Sequence, residues 1–213
     1  MPDLATYLIM APAILLALTF HEFAHAWVAN RFGDPTARQM GRLTLNPIPH
    51  LDLMGTIMLF IVHFGWAKPV PVNPTYFKNP KKDLLWVSLA GPVSNLLLAF
   101  VFGMIWRMIG SNELAAATTA FGIAQRMVIY GIFINLILAF FNMIPVPPLD
   151  GSKILMGLLP PKYEPMFAGF MRYGHFVLLA LILMDAALNI PVFGFLHTLV
   201  RTFSLAFAGM SFF

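Results

Sequence analysis

Nine acidic residues and six histidines are the metal-ligating side chains of this 213-residue chain, which contains no cysteine. Two of the histidines and one glutamate fall together in His21-Glu22-Phe23-Ala24-His25, an H-E-x-x-H pattern. On a helix, His21 and His25 stand one turn apart on one face, where their imidazoles can share a zinc ion, and Glu22 beside them is placed to act as a base on water. The pattern closes an apolar run that carries no charge from Leu4 to Phe20. Ionisable side chains within such a run cost at least ~2.5–3.5 kcal/mol each on insertion scales, so their presence points to function. The bland alternative is a pair of histidines making polar contacts between helices.

A catalytic zinc site takes three protein ligands and keeps one position open. Asp150 is the candidate third ligand. It ends Asn142-Met143-Ile144-Pro145-Val146-Pro147-Pro148-Leu149-Asp150-Gly151, where the prolines must break a helix and leave carbonyl groups lining a cavity. The same Asp-Gly pair also reads as a turn in which Asp150 caps a helix beginning near Ser152. Weaker alternatives are His50, Asp52 and His63 in the Pro-rich region, and His175, Asp185 and His197 in later apolar runs; these read as packing or interfacial residues. The absence of cysteine excludes a disulfide framework, a thiolate metal site and a cysteine nucleophile. Neither G-x-S-G nor G-x-G-D occurs, so serine- and aspartate-based motifs for chemistry within an apolar chain are absent.

The elements that must position these groups are apolar. Hydrophobic residues make up 59% of the chain and charged residues 10%, with 21 Phe, 14 Met and a mean hydropathy of +0.79, against roughly 25% charged in soluble domains. A soluble globule is excluded, and the fold class expected is an all-α polytopic membrane protein. Stretches free of charge run over Leu4–Phe20, with apolar pattern to Ala29, then Leu84–Trp106 and Met127–Leu149. Tyr173–Met184 continues past Asp185 to Phe195, and Pro191–Phe213 is interrupted only by Arg201. A span needs about 20 apolar residues. Leu53–Phe64 is about half that, which favours a re-entrant segment. Five to six transmembrane helices are expected, with a small re-entrant β-rich segment near the active site. Asn46-Pro47-Ile48-Pro49 and Lys68-Pro69-Val70-Pro71-Val72-Asn73-Pro74 forbid a continuous helix there, and extended strands are expected on either side of Leu53–Phe64.

One transmembrane domain over 1–213 is expected, with its core over 4–151 and additional C-terminal spans over 165–213. The N-terminal run is read as the first span and not as a signal peptide, because no Lys or Arg precedes Arg31. Arg31, Arg38 and Arg42 follow the first span, Lys78, Lys81 and Lys82 precede the second long one, and Lys153, Lys162 and Arg172 follow the third. An outside N-terminus puts these groups on the cytoplasmic side, provided that Leu53–Phe64 returns to the side it entered from. The net charge of +4 is spread over connectors and gathered into no face, so nucleic-acid binding is not supported.

His21 to His25 in a span, followed over a hundred residues later by Asn142 to Gly151, resembles the site-2 protease family of intramembrane zinc metalloproteases. Gly41-Arg42-Leu43-Thr44-Leu45-Asn46-Pro47, Gly65-Trp66-Ala67-Lys68-Pro69-Val70-Pro71-Val72-Asn73 and Gly91-Pro92-Val93-Ser94-Asn95 add to the resemblance, which covers about Thr19 to Gly151. It implies one Zn2+ per chain on His21, His25 and Asp150, with Glu22 activating water. It further implies contact of Asn142, and by a weaker match Asn95, with substrate or a developing oxyanion, although both asparagines also read as interhelical hydrogen-bonding groups. The family's sheet for an extended substrate strand would fall within Gly41–Asn73. The chain resembles the short prokaryotic form, without PDZ-like or CBS-like domains and without a span before the motif helix. The expected function is that of an intramembrane endopeptidase acting on transmembrane protein substrates in the lipid bilayer of a prokaryotic cell (inner) membrane, its active site toward the cytoplasmic side. The alternative is a divalent-metal-binding transporter or sensor, for which a path of further intramembrane ionisable residues would be expected.

Overall fold

A computed structural model describes residues 4–62, 65–109, 115, 118–188 and 190–210. Residues 1–3, part of the stretch without Lys or Arg before Arg31, lie outside the described residues, as do His63, Phe64 and most of residues 110–117.

The uncharged run at the N-terminus becomes α1, Leu4–Arg31. The single turn α2, Thr36–Gln39, and the ten-residue α3, Leu53–Val62, follow. α4, Pro80–Ile109, opens with proline at its first position, where the missing N–H costs nothing, and Asp83 in its first turn favours the positive end of the helix dipole. α5, Ala120–Asn142, is capped by Thr119, whose side chain accepts from Gly122 N. The prolines at 145, 147 and 148 stop it, and α6, Asp150–Leu158, begins anew. α7 is Glu164–Leu188 and α8 is Gly194–Ala208.

α4 is the hub, packing against α1, α5, α6 and α8. Ala99 and Trp106 of α4 close a buried apolar cluster with Val128, Ile132 and Leu136 of α5 and Val200 and Ala208 of α8. At the opposite end of α4, Val87 packs with Ala29 of α1 and Phe77. The end of α1 and the start of α4 therefore lie together, and Lys81 of α4, bonded to Leu159 O, brings the end of α6 to the same place.

The all-helical expectation holds among the described residues, but the count of spans and the strands differ. Among the described residues, four helices are long and apolar enough to cross a membrane: Ala5–Arg31, Pro80–Ile109, Ala120–Asn142 and Pro161–Asp185. α3 and α8, of 10 and 15 residues, are about 15 and 22 Å long at 1.5 Å per residue, short of a hydrocarbon core of about 30 Å. No strand forms among the described residues. A single antiparallel bridge, Leu51 with Ala67, is extended by Lys68 N donating to His50 O at 2.9 Å. The reason is local. Pro69 and Pro71 have no N–H for a ladder, and Lys68 O, Val70 N and Asn73 N are taken by the side chains of Arg42, Glu22 and Asp34.

Candidate metal centre

His21 and His25 project from one face of α1, and α4 decides how their rings are protonated. His25 Nδ1 lies 2.7 Å from Val87 O, a backbone carbonyl that can only accept, so Nδ1 carries the proton and donates it. His21 Nδ1 donates in the same way to Asn95 Oδ1 at 2.6 Å. In neutral imidazoles this leaves both Nε2 atoms unprotonated, with their lone pairs facing the interior.

Those two Nε2 atoms lie 3.1 Å apart, and each lies 3.1 Å from Asp150 Oδ2. Two lone pairs and a carboxylate oxygen converge on one point, an arrangement that repels itself unless a cation stands among them. Zinc with N and O ligands at 2.0–2.2 Å has ligand-to-ligand edges of about 3.3–3.5 Å in a tetrahedron, so the triangle matches the ion to within a few tenths of an ångström. Among the described residues, His21, His25 and Asp150 are the group able to hold a metal ion, and all three are buried. Asp150 stands at the first position of α6 and caps nothing: the cap position belongs to Leu149, without a side-chain cap bond. Its outer oxygen, Oδ1, receives Lys153 Nζ at 3.5 Å.

Glu22 engages the Pro-rich segment. Its Oε2 accepts from Val70 N at 2.8 Å, which seats the Pro-rich segment against the site. The same segment is pinned at both ends. Arg42 Nη2 donates to Lys68 O at 2.6 Å, and Asn73 N donates to Asp34 Oδ2 at 2.7 Å. Arg42 is buried, which lowers its guanidinium from its ordinary pKa, while the Glu22 carboxylate raises it again.

Two glycines allow these approaches. A Cβ at Gly91 would stand 2.6 Å from His25 Cε1 and 2.7 Å from His21 Cε1, and closer still to His25 Nε2. One at Gly151 would run into the carbonyl oxygens of Met143 and Ile144. α4 can lie against the imidazoles, and α6 against the end of α5, because neither position carries a side chain.

The remaining sequence candidates fall elsewhere. Asn95 is fully buried and stands behind His21, and its amide donates to Ala17 O at 3.0 Å and Asn135 Oδ1 at 2.8 Å. Both N–H groups are engaged, which leaves none for a substrate. Asn142 lies in the last turn of α5, donating one N–H to Leu138 O at 3.0 Å; no hydrogen bond joins it to the three converging groups. His50 is buried with Nε2 against Thr44 O, Asp52 accepts from Gly55 N at the start of α3, and Asp185 accepts from Phe193 N. His175 packs on Phe176. The contributions of Val87 O, Val70 N and Gly91 come from backbone, which side-chain motifs do not report; Gly91-Pro92-Val93-Ser94-Asn95 marked the place without its reason.

Comparison with known proteins adds identity to this geometry. The family profile described as Peptidase family M50 matches residues 107–184. The chain is 45% identical over 182 residues to YwhC of Bacillus subtilis, spanning 84% of this chain and 81% of that protein. It is 34% identical over 196 residues to Rip2 of Mycobacterium tuberculosis, spanning 87% of this chain and 70% of that protein. Both relatives bear the name "Putative zinc metalloprotease". No solved structure matches the chain. Identity of this extent, over apolar helices that bring two histidines and an aspartate to one point, shows that the chain belongs to peptidase family M50, the site-2 protease family, and is an integral membrane zinc metalloprotease.

Proposed function

We propose that the chain, acting as one domain over 1–213, cleaves peptide bonds of transmembrane substrates within the bilayer, as in regulated intramembrane proteolysis. His21, His25 and Asp150 hold one zinc ion per chain, and Glu22 is the catalytic base. The observation that carries this reading is the convergence of two unprotonated Nε2 atoms and Asp150 Oδ2 at 3.1 Å from one another. When bound, zinc supplies the Lewis acidity that makes water nucleophilic near neutral pH and polarises a carbonyl. Glu22 takes the proton released as water attacks and passes it to the leaving amine. The Val70 N–H holds one oxygen of Glu22 in place for that exchange. Asn142 has a second N–H to offer a substrate carbonyl or its oxyanion.

The depth of the site supports cleavage inside the membrane. His25 is six residues before the end of α1, Gly91 is eleven after the start of α4 and Asp150 is eight before the end of α6. At 1.5 Å per residue these are about 9, 16 and 12 Å from helix ends that lie together. The basic residues near those ends support a cytoplasmic location for that side, and with it for the nearer mouth of the site. The bacterial origin of the relatives above supports a prokaryotic cell (inner) membrane as the bilayer concerned.

The test is zinc per chain and cleavage of a transmembrane substrate by detergent-purified wild type, Glu22→Gln and Asp150→Ala. One zinc in wild type and Glu22→Gln, less in Asp150→Ala, and cleavage by wild type alone are expected. Cleavage surviving in Glu22→Gln would remove Glu22 from its role. Zinc bound by wild type with no cleavage of any substrate would favour a metal-binding transporter or sensor.

A further inference from the structure

Behind His21 the span interiors of α1, α4 and α5 are joined by a buried chain of hydrogen bonds. His21 Nδ1 meets Asn95 Oδ1 at 2.6 Å, Asn95 Nδ2 meets Asn135 Oδ1 at 2.8 Å, and Asn135 Nδ2 meets Gly131 O at 2.8 Å. Asn95 Nδ2 also meets Ala17 O at 3.0 Å. Asn95 and Asn135 both have 0% relative exposure. Two uncharged amides so deep in apolar helices give up their hydration, which only complete pairing offsets.

The direction of every proton in this chain is fixed by its ends. Gly131 O and Ala17 O are backbone carbonyls, which accept and never donate. Gly131 O must therefore face the NH2 of Asn135, which turns Asn135 Oδ1 toward Asn95. Ala17 O and Asn135 Oδ1 then claim both N–H groups of Asn95, which turns Asn95 Oδ1 toward His21. An oxygen facing Nδ1 requires the His21 proton to sit there, and Nε2 is left with a free lone pair directed at His25 Nε2 and Asp150 Oδ2. A flipped Asn95 would offer an N–H to Nδ1, move the proton to Nε2 and destroy the donor set.

We propose that Asn135, which touches none of the converging groups, is a positioning residue for the zinc site: through Asn95 it fixes the tautomer and ring orientation of His21. His25 needs no such device, because Val87 O performs the task directly. The inference rests on the reading of His21 as a zinc ligand. Groups that orient ligand imidazoles contribute 10–100-fold to metal affinity, and the effect of Asn135 must pass entirely through Asn95.

The experiment is equilibrium competition for zinc between a chromogenic chelator and detergent-purified wild type, His21→Ala, Asn95→Leu, Asn135→Leu and the double variant, each checked as monodisperse. Asn95→Leu is expected to weaken zinc 10–100-fold and Asn135→Leu about tenfold. The double variant is expected to equal Asn95→Leu, because Asn135 has nothing left to act through. Where Asn135→Leu does not yield folded protein, Asn135→Ala is read the same way. Zinc affinity unchanged in the position-135 variant while His21→Ala loses the metal would overturn the proposal, as would single effects that multiply in the double variant. Those results would assign Asn135 to packing alone. Wild-type affinity in His21→Ala would instead overturn the ligand assignment on which the proposal stands, so the two failures are distinguishable.

Discussion

A methyl group at position 91 would press on both imidazole rings, at 2.6 Å from His25 Cε1 and 2.7 Å from His21 Cε1. Contacts that short force the rings or the helix to move, and each ring is held from behind by a single hydrogen bond to α4. Gly91→Ala is therefore expected to lower zinc affinity at least tenfold and to abolish cleavage while the protein stays folded, as measured by metal content, activity and size-exclusion behaviour. Wild-type zinc content in this variant would show that α4 can withdraw without cost. The contrast with His21, Glu22 and His25 explains what a sequence can disclose at this scale. Their relation follows from the helix repeat alone, so it is legible from five consecutive letters. Asp150 was legible only as one of two readings, ligand or helix cap, and the start of α6 at Asp150 with Leu149 at the cap position leaves the first. The tautomers are set by Val87 O and Asn95 Oδ1, and Glu22 is held by Val70 N; no side-chain pattern encodes which backbone group from 48 residues along the chain will arrive there.

Among elements, the segment from Lys68 to Asn73 is the one whose form departs most from expectation, and its departure bears on catalysis. The alternation of prolines removed the helix correctly but suggested a strand, whereas its polar groups reach Arg42, Glu22 and Asp34 across to α1 and the loop after it. A tethered strap results. Asp34 is its far anchor, fully buried, with Oδ1 accepting from Thr36 N at 2.9 Å and Oδ2 from Asn73 N at 2.7 Å. Asp34→Ala leaves those donors without their acceptor and is expected to cost about 1–3 kcal/mol of stability, read in mixed-detergent unfolding. Because Val70 is three residues from the released end, the same variant is expected to lose more kcat than zinc affinity. Equal losses in both would mean that Asp34 supports the fold as a whole and not the placement of Glu22. The long helices were legible for a simpler reason: absence of charge over about 20 residues is a solvent argument that needs no knowledge of partners. α8 was overestimated by the same argument, since Pro191 and the left-handed Gly209, φ 74°, trim an apolar stretch to 15 residues.

At the scale of the whole molecule, α4 determines how the parts face one another. Its first half carries Val87, Gly91 and Asn95 against the metal site, and its second half carries Ala99, Gly103 and Trp106 against α5 and α8. The orientation of α4 in the bilayer thus sets the side from which the site opens. Lys78, Lys81 and Lys82 flank its start, while Arg107 at its far end is occupied with Phe207 O at 2.7 Å and Ala206 O at 2.8 Å, closing the C-terminus of α8. Three lysines at the start of α4, of which Lys81 is engaged with Leu159 O and Glu164, against one arginine at the far end predict that the start of α4 faces the cytoplasm. The chain has no cysteine, so single cysteines report location without background. In intact spheroplasts, a membrane-impermeant maleimide is expected to label Thr118→Cys, just before α5, and to label Lys82→Cys only after permeabilisation. The reverse pattern would turn the molecule over and open the site to the outside. Labelling at both positions without permeabilisation would deny that α4 spans, and with it the apolar surroundings on which the proposed cleavage within the membrane depends.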